Sequence, residues 1–172
     1  MTKIIATFLL ALLTFAPNQA SAEEMRFSVA PTLKNSCFGP EQAEAEQGLR
    51  IHSELMVIAL NCQHMTPRGW KNFYKQYQEI TVRHQSLFRG YEDILINHYT
   101  NSGKLDPERA LHDLRTTLAN KVSSDAARMR PDIFCATFAP RLPKVEKMSS
   151  SDLKTWAIQA KAGQRMSEPM CR

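Results

Sequence analysis

The sequence predicts an all-α fold, a four-to-five-helix bundle stapled by two disulfides. Three observations lead there. Apolar residues recur at threes and fours in every long segment, and no stretch sustains period-2 alternation. A capping residue or an early proline precedes each such segment. Four cysteines, an even number, stand in a chain whose first residues read as an export signal.

That signal comes first along the chain. Met1-Thr2-Lys3 is followed by an apolar run from Ile4 to Phe15 and then by Ala20-Ser21-Ala22, the charged, apolar and small-residue regions of a signal peptide. A run of about a dozen residues falls short of the roughly 20 that span a bilayer. Residues 1–22 are therefore expected to be removed, the mature protein to begin near Glu23 without a transmembrane anchor, and the product to be periplasmic, with secretion as the alternative. No cysteine follows the cleavage site, which argues against a lipid anchor. The remaining 150 residues make one ordinary domain with a formal charge of +4, the normal state of a solvated surface. No run of Lys and Arg interleaved with aromatics points to nucleic acid.

Residues 23–36 lack a period and contain Pro31, which predicts an extended arm ahead of a helical domain over 37–172. Gly39-Pro40 opens the first helix, which runs to Cys62, with Glu41, Glu44 and Glu46 complementing the positive end of its dipole. Its half from Leu55 to Leu60 is apolar all round and is expected to be the most buried. Thr66-Pro67 repeats the start signal and predicts a long helix carrying Trp70, Phe73, Tyr74, Tyr77, Ile80, His84, Phe88, Tyr91, Leu95 and His98, bent at Gly90 and closed by Asn101-Ser102-Gly103. Asp106-Pro107 opens the next, with Leu111, Leu114 and Leu118 on one face. Pro131, Pro140 and Pro143 divide the region around Cys135 into short pieces. Ser149 to Asp152 cap a last helix that carries Leu153, Trp156 and Ala157 and ends near Gly163.

Helix geometry limits the cysteine pairing. A helix from Pro40 to Cys62 holds its ends roughly 35 Å apart, whereas a disulfide needs Cα atoms about 4.4 to 6.8 Å apart. Cys37 cannot then pair with Cys62. In an up-and-down bundle the end of the first helix lies near the end of the third, and the chain start near the end of the fourth, which predicts Cys62–Cys135 and Cys37–Cys171.

Motifs for chemistry are sparse. There is no C-x-x-C-H, no H-E-x-x-H, no G-x-S-x-G and no phosphate-binding loop, so no cofactor and no catalytic residue are expected. His52-Ser53-Glu54 cannot form a triad, because neighbours on a helix point in different directions. His52, His84 and His98 fall on apolar stripes, and antiparallel pairing of the first two helices would set His52 opposite Tyr77 and His84 opposite Glu44 to Glu46. His64 and Met65, beside Cys62 on a turn, are soft donors that suit copper, and His84 is a second candidate ligand. Paired carboxylates from Glu41, Glu44, Glu46, Glu79, Glu92, Asp93 or Glu108 would be needed for sugar hydrolysis.

The string Glu54-Leu55-Met56-Val57-Ile58-Ala59-Leu60-Asn61-Cys62, with Cys37 upstream and Phe134-Cys135 downstream, resembles a family of small exported, uncharacterised helical proteins of Gram-negative bacteria with four cysteines. The resemblance implies export, helices and disulfides, and no catalytic residue. The leading expectation is a non-enzymatic periplasmic domain that binds an envelope protein or a cell-wall component through Trp70, Phe73, Tyr74 or Trp156, provided these are exposed. A small-ligand or copper binder is the alternative, and a cell-wall hydrolase a weaker one.

Overall fold

The computed structural model describes residues 37–160 and 165–171. The expected signal peptide, the arm over 23–36 and Gly163 lie outside the described residues. The helices are α1 (Pro40–Cys62), α2 (Phe73–Arg83), α3 (Gln85–Asn101), α4 (Pro107–Arg128), α5 (Pro131–Phe138), α6 (Arg141–Glu146) and α7 (Ser150–Ala160). A single 3₁₀ turn, Gln63–Met65, follows α1. No helix among the described residues is long and apolar enough to cross a membrane.

The α1 helix is the axis of the bundle and touches each of the other six. Its sequence explains the position, because residues on every side of it are buried, from Ala43 round to Cys62. A helix that is buried all round must be enclosed rather than laid on a surface. The most continuous buried run is Ala45–Leu49, not the expected Leu55–Leu60, whose last residue is 44% exposed. Two polar residues lie in that run: Glu46 and Gln47 are both fully buried. Glu46 is therefore no solvated partner of the helix dipole. Gly48 follows them because only glycine fits there, since a Cβ at this position would lie 2.1 Å from the Tyr91 ring of α3.

The second predicted helix is two helices with a later start. Thr66 does not begin α2; its hydroxyl donates to the Gln63 carbonyl and accepts from the Phe73 N–H. Gly69 at φ +84° turns the chain, and the side chain of Asn72 caps α2 by accepting from the Tyr74 N–H at 2.9 Å and the Lys75 N–H at 3.4 Å. The break falls at His84, with φ −103° and ψ 17°, and α3 runs without interruption through Gly90, where a bend was expected.

The remaining elements follow their local signals. Asp106 accepts from the Arg109 N–H at 2.9 Å and caps α4, which buries Leu111, Leu114 and Leu118. Ser149 and Asp152 cap α7 reciprocally, the Asp152 carboxylate accepting from the Ser149 N–H and the Ser149 hydroxyl accepting from the Asp152 N–H.

Both predicted disulfides are present, Cys37–Cys171 with Cα atoms 5.0 Å apart and Cys62–Cys135 with 5.5 Å. The first is flanked by a two-way backbone bridge in which Phe38 N–H donates to the Pro169 carbonyl and Cys171 N–H to the Phe38 carbonyl. Glu46 completes the attachment of this C-terminal segment. Its carboxylate accepts from the Ser167 N–H, the Ser167 hydroxyl and, at 2.6 Å, Arg50 Nη2.

Candidate functional site

The 3₁₀ turn and the loop to α2 carry Trp70, the one aromatic side chain that is mostly exposed among the described residues. The Pro67 carbonyl accepts the Trp70 N–H at 3.0 Å and Gly69 reverses the chain, which turns the Trp70 side chain outward, 56% exposed. The next residue anchors the loop. Lys71 Nζ lies 2.5 Å from carboxylate oxygens of both Glu79 and Glu146, while its carbonyl accepts from Gln76 at 2.6 Å. Hydrogen bonds to Glu146 and then Glu79 push the Lys71 pKa above its ordinary value.

Trp70 stands over an apolar groove of about 280 Å³. Met65 and Pro67 line it from the loop, Phe73 from the start of α2, and Cys135, Ala139 and Pro140 from α5 and the residues after it. The Cys62–Cys135 disulfide therefore holds the two walls together. Met65 is 44% exposed beside the tryptophan. Arg68 and His64 are exposed on the same loop, with no ion-pair partner among the described residues, while Asp132, paired with Arg130, lines the groove from α5.

The four contact residues read from the sequence separate here. Trp70 is on the surface, Phe73 is buried in the core with one edge on the groove, and Tyr74 and Trp156 are partly buried against the core. Helical periodicity could not make that distinction for Trp70, because Trp70 is not on a helix.

The histidines are structural in their surroundings. His52 Nε2 shares hydrogen bonds with the Tyr77 hydroxyl and Thr81 Oγ1, both at 3.1 Å, and its ring stacks on Phe88 at 4.3 Å. Its pairing with Tyr77 is as expected. His84 does not face Glu44 to Glu46; its Nδ1 shares a hydrogen bond with Ser150 Oγ at 2.9 Å, and Tyr91 occupies Glu44 instead. The His84 Nε2 is buried and has no partner among the described residues.

His64 and Met65 lie on the outer turn, Cys62 is consumed in its disulfide, and His84 is inside the bundle. Among the described residues no group of three or more His, Cys, Asp or Glu side chains is arranged to hold a metal ion.

His98 contacts Glu168 at 2.8 Å and Ser102 at 3.4 Å, yet both partners meet the same ring nitrogen, Nε2, and the Ser102 hydroxyl donates to the His98 carbonyl. A relay needs its carboxylate and its nucleophile on opposite ring nitrogens. His52-Ser53-Glu54 likewise disperses, with Ser53 buried and Glu54 paired to Arg141.

Burial, and then the charge of Arg115, hold the His52 pKa down to about 4. An unfolded histidine titrates near 6.5. Between these values the unfolded chain takes up a proton that the folded one refuses, so stability is flat above about pH 6.5 and falls as the pH drops towards 4. The loss is on the order of 3 kcal/mol. His84, lowered by burial and Arg83, adds in the same direction. Urea unfolding at pH 7 and pH 4.5 should show a smaller loss in His52→Gln than in the native chain, and parallel losses would refute the assignment.

Comparison of the chain with family models, with curated proteins and with solved structures finds no match.

Proposed function

We propose that this protein is a non-enzymatic binding domain of the bacterial cell envelope, exported to the periplasm, that holds an apolar segment of another envelope protein in the groove beneath Trp70. One observation carries the reading: a large aromatic side chain is 56% exposed on a fixed loop above an apolar groove, beside a half-exposed methionine. Leaving that surface in water costs free energy, and a partner that covers it recovers about 25 cal/mol per Å² of apolar area. Tryptophan anchors of this kind dominate the energetics of protein interfaces.

The two disulfides support the compartment, since such bonds persist in oxidising surroundings. A cell-wall glycan would instead stack flat on Trp70 without filling the groove beneath it.

The test places a photo-crosslinking residue at Arg68 and, as a control, at Val82, which is 74% exposed on α2. The expected result in intact cells is a discrete protein adduct from position 68 that disappears with Trp70→Ala. The same adducts from both positions, or none from position 68, would sink the proposal. N-terminal sequencing of the periplasmic fraction should give a chain starting near Glu23.

A further inference from the structure

We infer that the groove between the N-terminal turn of α1, the middle of α3 and α7 is a second binding site, made for a small amphiphile with a hydrocarbon body and one cationic ammonium head. It lies at the opposite end of α1 from Trp70, roughly 30 Å away along a helix of this length, and does not depend on the reading of that surface.

The groove encloses about 510 Å³, within the range of small-ligand sites. Leu87, Gly90 and Ile94 of α3 form its floor together with the Tyr91 ring, and Ile158 of α7, 49% exposed, forms a wall. Gly90 is the telling residue. A glycine inside a helix costs about 1 kcal/mol relative to alanine, and here neither a bend nor a close neighbour accounts for it. The α3 helix passes through it unbroken, and a Cβ built on it would meet no atom within 4 Å. Its effect is to leave the centre of the apolar floor open. Gly48 shows the contrast, because there a Cβ would strike Tyr91.

The rim supplies the sign of the head group. Glu44 accepts from the Tyr91 hydroxyl at 3.1 Å and faces Lys154 Nζ at 3.6 Å, so its charge is balanced. Glu41, also on the rim, is exposed and has no hydrogen-bond or ion-pair partner among the described residues. With Glu44 balanced by Lys154, Glu41 leaves the rim one formal negative charge in excess, only partly offset by the positive end of the α1 dipole, and a rim of that sign favours a cation attached to a hydrocarbon over the corresponding anion.

The probe is decyltrimethylammonium below its micelle-forming concentration, titrated into the full chain and followed by calorimetry and by amide NMR shifts. Saturable binding is expected, with shifts centred on Leu87, Ile94 and Ile158. Gly90→Leu fills the floor and should weaken binding at least tenfold without lowering the melting temperature, and Ile158→Gln, on the exposed wall, should weaken it severalfold. Glu41→Gln should weaken the cationic probe severalfold, and decyl sulfate should bind at least tenfold less tightly. Absence of saturable binding, binding indifferent to Gly90→Leu and Ile158→Gln, or equal affinity for the sulfate would each overturn the inference.

Discussion

Replacing Cys62 and Cys135 together by alanine is expected to lower the unfolding free energy by about 4 kcal/mol, close to half the total stability of an ordinary domain. The bond closes 73 residues of chain. Without it the unfolded ensemble regains the freedom of that whole loop, which spans α2, α3 and α4. The folded state gains nothing in return, because both sulfurs are buried and the core simply loses them. Urea midpoints of the native and double-alanine proteins at equal slope would measure the difference, and a change under about 1 kcal/mol would show that the bundle holds its ends together unaided. The same variant bears on the Trp70 groove, whose walls belong to the two segments that the bond joins. Loss of crosslinking from position 68 should accompany any loosening.

Glu46→Ala is expected to cost about 3 to 5 kcal/mol, the penalty for breaking a buried ion pair by removing one partner. The carboxylate is fully buried and does three things at once: it pairs with Arg50 at 2.6 Å, accepts the Ser167 N–H and accepts the Ser167 hydroxyl. Alanine leaves the Arg50 guanidinium, only 12% exposed, without its counter-charge and a backbone donor without an acceptor. Glu46→Gln should cost less, because an amide oxygen still accepts from Ser167 while the charge is lost. Chemical denaturation of the three proteins tests the order. Equal costs for the two variants would mean that the hydrogen bonds contribute nothing beyond the charge. In native-state hydrogen exchange, the Ser167 amide should lose protection first in Glu46→Ala, since its acceptor is the group removed.

Much of the architecture was legible from local signals. Pro40 and Cys62 bound α1 as predicted, and Asp106 and Ser149 cap α4 and α7. Capping and proline placement act within one helical turn, so a local reading recovers them. The disulfide pairing was also within reach, because a rigid helix sets its two ends too far apart for one connectivity and bundle topology arranges the rest. His52 met Tyr77 because the two helices that carry them are neighbours in the chain.

The failures share a different cause. Thr66-Pro67 imitates a helix start, but the Thr66 hydroxyl is engaged by Gln63 and by the first residue of α2, so the helix waits for Asn72. That delay of one loop moves Trp70 off the helical face and onto the surface, while Phe73 stays inside. The acidic run at the start of α1 divides in the same way. Glu41 remains in water, Glu44 takes a hydroxyl and a lysine, and Glu46 is buried beneath the C-terminal segment.

By itself the sequence determined the helical class, most helix ends and the two cross-links, since each depends on interactions a few residues apart or on the rigidity of one helix. Only the tertiary structure decided that Glu46 is covered by Ser167, that His84 meets Ser150 rather than Glu44, and that Gly90 opens a groove rather than a bend. These depend on which remote segment arrives against a given face. Periodicity specifies the face and leaves the arrival to packing.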